Sequence, residues 1–455
     1  MVPLCLKMGN QWPRCRLGWG MAKNGGTMPM RNRTTVLGLA APIALLCAAP
    51  VLAQETVSLQ VPRGTADGDL QVEPGAETSA IPDLPPTPPP PAEPGFIDIR
   101  PSLVILLDHT FFGQDSDSIA QVGEQQDDWE LRAARLSFLG SIGGSYRVGF
   151  QVSGEYKGFD GDPETTWQLT DLSLTFPFGT RTKLILGKTK ETFAYEMVGD
   201  AANLPAMERV LSPFFISRNT GAKLTHVWGP AKRGTLSLGV YNDAWDIQNA
   251  DRRGWDSSAR VTALAWADAA DDSRYLHLGA SVRDVASKGT LRYRGRPGSN
   301  VATNFIDTGR FDADGALHYG FEGMFALGGV SLQGEWVRAQ VDAPTNGNPV
   351  FGGWYLTGSW VLTGDHRPYD RNVGYARRVV PKGHWGAPEL VVRYSDVDLS
   401  DDLVDGGRFR RTDVGLNWWA TRRWKAGIAW GHVWLDRNGL TGETDTLLTR
   451  IQWVY

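Results

Sequence analysis

A chain of 455 residues has room for several soluble domains, yet 53 glycines and 18 tryptophans sit beside a charged fraction of only 21%, and the 42% that is hydrophobic is dispersed. Past the N-terminal region no apolar run reaches the roughly 18 residues a membrane-crossing helix needs, which excludes a helical membrane protein. A net charge of −4 lacks the concentrated basic surplus of a nucleic-acid-binding domain, so no nucleic acid is expected as partner.

Arg31 and Arg33 lead into residues 36–49, a mostly apolar segment too short to span as a helix, and Val51, Leu52 and Ala53 come just before Gln54. That order predicts a secretory signal over 1–53, cleaved after Ala53, with 1–27 as a long charged leader or an upstream extension from a misassigned start. Cys5, Cys15 and Cys47 all fall inside it. The exported chain is therefore expected to carry no disulfide, thiolate metal site or cysteine nucleophile.

Residues 54–95 are rich in proline, alanine and acidic residues, and six of the seven residues from Pro85 to Pro91 are proline. Such a stretch buries too little apolar surface to offset its ordering entropy, and proline offers no backbone donor for pairing. It reads as an extended periplasmic spacer.

From residue 96 to 455 the sequence becomes a succession of segments about ten residues long, alternating in polarity and separated by Gly, Asp, Asn and Pro. In 146–157, Tyr146, Val148, Phe150, Val152 and Tyr156 fall on one face and Arg147, Gln151, Ser153, Glu155 and Lys157 on the other, because successive strand residues point to opposite sides. In a membrane barrel the first set meets lipid and the second a wet interior. Segments 236–242, 259–266, 275–283, 317–327, 330–338, 354–362, 389–395 and 412–419 read the same way. About seventeen segments qualify, and since single-chain bacterial barrels have even strand numbers, sixteen are expected, with 290–296 assigned to a loop.

Trp418, Trp419, Trp424, Trp430, Trp434 and Trp453 lie near strand ends, where an aromatic girdle sits at a lipid boundary. At the C-terminus Leu447, Ile451, Trp453 and Tyr455 share one face, with Thr449 between them, and Arg450 and Gln452 take the other. A last strand that pairs with the first and stops on an outward aromatic suits an outer-membrane antiparallel β-barrel. It also resembles the terminal signal by which such barrels are handed to the barrel assembly machinery. Outer-membrane lipid and lipopolysaccharide are then the expected surroundings.

Two blocks resemble the phosphate-selective porin family, the group of porin O and porin P. One runs through Trp354, Tyr355, Leu356, Thr357, Gly358, Ser359 and Trp360 to Asp365, His366, Arg367, Pro368 and Tyr369, with Pro388 to Ser395 and Gly415 to Trp419 after it. The other joins Leu131, Arg132, Ala133, Ala134, Arg135 and Leu136 to Leu186, Gly187 and Lys188, with Met207, Glu208 and Arg209 downstream. The resemblance covers most of 96–455. It implies a homotrimer of sixteen-stranded barrels, each with an inward-folded constriction loop and basic residues that guide small anionic solutes, phosphate or other oxyanions. No cofactor is expected.

A pore that favours phosphate needs arginine forks and lysine charges inside a low-dielectric constriction, where the field is focused. The candidates for that pathway are Arg132, Arg135, Arg147, Lys188, Lys190, Arg209, Arg218, Arg292, Arg294, Arg296 and Arg393. Arg292, Arg294 and Arg296 share a face if their segment is extended. Segment 192–218, long and poor in alternation, is the candidate constriction loop. Between Thr192 and Ser217 its one basic residue is Arg209, against Glu196, Asp200 and Glu208 within and Glu191 just before, which predicts an acidic constriction.

No catalytic or metal constellation emerges. His109, His226, His277, His318 and His432 are scattered singly without zinc spacing, and no nucleophile elbow or phosphate loop is present. A weakly selective diffusion porin is the alternative within transport. His277 and Ser281, on one strand face, sustain a barrel phospholipase as the alternative from another class.

Overall fold

The computed structural model describes residues 95–156, 167–242, 255–268, 272–401 and 403–455. The predicted signal, 1–53, and the predicted proline-rich spacer up to residue 94 lie outside the described residues.

Alternating polarity drives each segment into a strand with two unlike faces, and closure of the sheet gives both faces a solvent. Sixteen strands form one closed barrel. They are β1 (Ile97–Gln114), β2 (Asp128–Ile142), β3 (Val148–Tyr156), β4 (Trp167–Phe178), β5 (Thr182–Thr189), β6 (Asn219–Trp228), β7 (Gly234–Asn242), β8 (Trp255–Ala267), β9 (Arg274–Leu291), β10 (Phe311–Leu327), β11 (Val330–Asp342), β12 (Val350–Val361), β13 (Ala387–Asp401), β14 (Val404–Trp419), β15 (Trp424–Arg437) and β16 (Leu440–Val454). Neighbours in the chain pair antiparallel all the way round, and β1 closes on β16. Beyond the last ladder pair, Leu103 and Tyr455 exchange backbone hydrogen bonds of 3.1 and 2.8 Å, so the terminal aromatic is a working member of the seam.

All nine segments predicted as strands in the sequence fall on barrel strands, apart from end residues such as Tyr146 and Leu362 that lie in turns and Lys157, which lies outside the described residues. Segment 290–296 is mostly loop, as expected: β9 stops at Leu291, and Arg294–Gly295 pairs only with Ile306–Asp307 inside the connection 292–310.

An even strand count puts both chain ends of the barrel at one end. Six of the seven connections there are short, such as Gly328-Gly329 between β10 and β11, where Gly328 takes a φ of +60°. In outer-membrane barrels this is the periplasmic end, and the longer loops face outward. The exception is the connection 362–386 between β12 and β13, which turns back into the barrel.

Outward rows are apolar with aromatic ends: on β12 Trp354, Leu356 and Trp360 are exposed, while Phe351, Tyr355, Thr357, Ser359 and Val361 point in. The expectation of a wet polar interior holds only along β1–β8. On β10–β15 the inward residues Val337, Ala339, Phe351, Tyr355, Val397, Leu399, Phe409, Val433 and Leu435 are buried against loop residues Phe193, Leu211, Phe214, Phe305 and Ile306. Apolar side chains thus occupy part of the inward face of these strands as well as the outward one, so polarity alternation weakens there, and an apolar core shares that side of the lumen with buried polar groups such as Glu335 and Arg393. Burying each of the valine, leucine, isoleucine and phenylalanine side chains among them contributes roughly 1.5–3 kcal/mol.

Candidate functional site

The lumen that remains is a cavity of about 1500 Å³ bounded by β1–β8, the inward loop 190–218 and the connection 362–386. Twelve of its lining side chains are basic and four acidic. The acidic four are all answered. Glu155 pairs with Arg135, Asp171 with Arg218 at 2.9 Å, Glu191 with Arg283 at 2.7 Å, and Asp200 with Lys190 at 2.6 Å. Lys183, Lys188, Lys223, Arg378 and Arg422 line the same space with no carboxylate partner among the described residues. Arg209 spends its donors on the carbonyls of Glu196 (2.6 Å) and Gly199 (2.8 Å). The cavity therefore carries a surplus of uncompensated positive charge.

The inward loop owes its position to side chains on the strands around it. Glu335 on β11 accepts from the backbone N–H groups of Tyr195 (2.6 Å) and Glu196 (3.2 Å). Glu196 receives Arg393 of β13 at 2.7 Å and the N–H groups of Val210 and Leu211. Arg450 of β16, almost fully buried, donates to the Met207 carbonyl at 2.6 Å and to both Glu208 and Asp108 at 2.5 Å. Arg132 of β2 meets Glu208 from the other side at 2.8 Å. Gln452 and Asn417 reach the carbonyls of Ala202 and Pro205 at 3.0 and 2.9 Å. Burial opposes the charge on Glu208, but the guanidinium groups of Arg132 and Arg450 overcome it and hold the carboxyl at about 2. The predicted acidic constriction is thus corrected: Glu196 and Glu208 anchor the loop and present little free negative charge to the lumen.

A second inward element, the connection 362–386, caps part of the periplasmic end. Arg367 forks onto Glu389 at 2.6 and 2.8 Å and donates to the Asn203 carbonyl at 2.6 Å, tying this element to the inward loop. Arg260 of β8 donates to the Val373 and Gly374 carbonyls and pairs with Glu322 at 2.6 Å. His277 lies between Glu322 (2.9 Å) and the Tyr369 hydroxyl (2.7 Å), fully buried on the inward side of β9. Ser281 faces the Ala194 N–H at 3.4 Å, so the His277 and Ser281 side chains serve separate structural contacts.

Of the residues singled out in the sequence, Arg132, Arg135, Lys188, Lys190, Arg209 and Arg218 line the cavity together. Arg393 is buried beneath the inward loop, stacked 4.2 Å over the Tyr355 ring. Arg147 sits in the turn between β2 and β3, bonded to Ser141 and to the carbonyls of Gly95 and Gly143, away from the lumen. Arg292, Arg294 and Arg296 do share a face, the exposed one of loop 292–310, outside the cavity. There Arg292 grips Asp307, and that hydrogen bond holds the Asp307 carboxyl below its usual range. Lys183, Lys223, Arg377, Arg378 and Arg422 are lining residues that sequence reasoning missed. Lys183 and Lys223 carried the same alternation signal as the rest of their strands, whereas the arginines lie in turns without periodicity.

With this geometry in place, the comparisons with known proteins are specific. The family model described as phosphate-selective porin O and P matches residues 109–455. An uncharacterized protein of Caulobacter vibrioides is 27% identical over 306 residues, 64% of this chain and 59% of that protein. Porin O of Pseudomonas aeruginosa is 26% identical over 152 residues, 30% of this chain and 35% of its own. The chain thus matches less than two thirds of the length of either relative. Among solved structures, the outer-membrane channel DcaP of Acinetobacter baumannii superposes with a TM-score of 0.52 at 10% identity, covering 79% of this chain and 97% of that one. OmpF of Salmonella typhi, in complex with daunomycin, gives 0.51 at 9% identity, covering 78% and 97%. At such identities the likeness concerns the fold.

Proposed function

The chain belongs to the family of phosphate-selective porins O and P, and from that premise we propose that it passes small anions, phosphate or other oxyanions, across the outer membrane by passive diffusion. One observation carries the reading. Every carboxylate lining the cavity has a basic partner, while five of its lysine and arginine side chains have no carboxylate partner among the described residues. Cations inside a low-dielectric wall focus the field, raising the local anion concentration and opposing entry of cations. Guanidinium and ammonium donors also match oxyanion oxygens. No covalent step is involved.

A cleaved leader, delivery to the barrel assembly machinery through β16 and assembly as a homotrimer complete the proposal. The test is a planar bilayer recording of purified protein in potassium chloride. Addition of millimolar phosphate reduces the chloride current if oxyanions dwell at the lysines and arginines. An anion-preferring current that phosphate leaves unchanged would instead make this a weakly selective diffusion porin.

A further inference from the structure

The outer wall at the loop end carries a notch that the pore does not use. Register partners form lateral rows across β11 to β14. In one row Trp336 lies beside Trp354, Asp396 and Arg410, and in the next toward the loops Arg338 lies beside Gly352, Asp398 and Arg408. All of these side chains point away from the lumen, opposite in parity to buried Val337, Phe351, Val397 and Phe409. On the periplasmic side the rows turn apolar: Leu332, Gly358, Val392 and Val414 form one of them. The change from apolar to charged marks where the hydrocarbon ends and headgroups begin.

Gly352 contributes no side chain to its row, and a groove of about 290 Å³ opens there, walled by Trp336, Trp354, Arg338, Asp398 and Arg408. Its charges are unequal in commitment. Arg408 is held by Asp396 at 2.9 and 2.5 Å. Arg338 is exposed and has no hydrogen-bond or ion-pair partner among the described residues. Trp354, 40% exposed and 5.5 Å from the Tyr394 ring, offers a flat apolar wall beside it.

We propose that this groove binds the phosphorylated sugar headgroup of an outer-leaflet glycolipid of the lipopolysaccharide type, with Arg338 taking the phosphate and Trp354 the sugar face. The proposal rests on the outer-membrane orientation given above. The unpaired guanidinium supplies charge complementarity, the tryptophans suit the boundary depth, and the Asp398 carboxylate can accept from sugar hydroxyls.

Native mass spectrometry of the full barrel in detergent, with bisphosphorylated lipid A and with the same lipid after phosphatase treatment, tests it. The unmodified protein is expected to prefer the phosphorylated lipid by about tenfold, and Arg338→Gln to lose that preference while keeping its binding of the dephosphorylated form. Heat-modifiable migration and conductance stay unchanged in the variant, because Arg338 faces away from the pore. Equal binding of the two lipids by the unmodified protein, or an undiminished preference in Arg338→Gln, overturns the proposal without touching the channel reading. So does disulfide pairing of Arg338→Cys chains in native membranes, which would put a second copy in the groove.

Discussion

Lys183 and Lys223 project from adjacent strands β5 and β6 into the cavity, and neither forms an ion pair with a carboxylate among the described residues. Replacing both by glutamine removes two uncompensated charges and no ion pair. The anion-to-cation permeability ratio is expected to fall by about threefold with folding intact. An unchanged ratio, measured from zero-current potentials, would place the selectivity elsewhere. Arg450→Ala should behave differently, since it leaves Asp108 buried against a missing partner, a loss of about 3–5 kcal/mol. Its signature is a fall in the heat-resistant folded fraction on a gel. At this scale the sequence reveals charges and conceals their partners. Glu208 and Arg450 are 242 residues apart and Glu196 and Arg393 are 197 apart, so the loop reads as acidic until the barrel brings each carboxylate to its guanidinium.

The strands are the elements legible in advance, because one face meets lipid and the other water over β1–β8, and period-two alternation follows directly. Alternation blurs where a loop replaces water, as at Phe351 and Val397, whose inward neighbours are the apolar side chains of 190–218 and 292–310. Connection 362–386 carried no sequence signal of its inward fold. Its contact with the wall is tightest at Gly374, where φ is +75° and a Cβ would lie 2.6 Å from the Thr262 hydroxyl and 2.8 Å from that of Thr235. Gly374→Ala should therefore push this element off β7 and β8 at a cost of roughly 1–3 kcal/mol. Single-channel conductance is the readout: it rises if the connection narrows the periplasmic end, and stays at the unmodified value if it does not.

For the whole molecule, closure decides what the chain can do. The β16 strand performs two tasks with its two faces: Tyr455 and Trp453 complete the seam and girdle, and Arg450 and Gln452 hold the constriction loop from within. An apolar core and the inward loops fill one side of the lumen, and the cavity that remains is lined by more basic than acidic side chains. The barrel and its seam were readable from the C-terminal pattern. The sign of the lumen field was not, since it depends on which carboxylates are paired. The measurement that tests it most directly is the zero-current potential of the purified barrel in a bilayer across a steep potassium chloride gradient. The potential is expected to take the sign of the chloride equilibrium potential. A value at zero, or one with the sign of potassium, would contradict an anion channel.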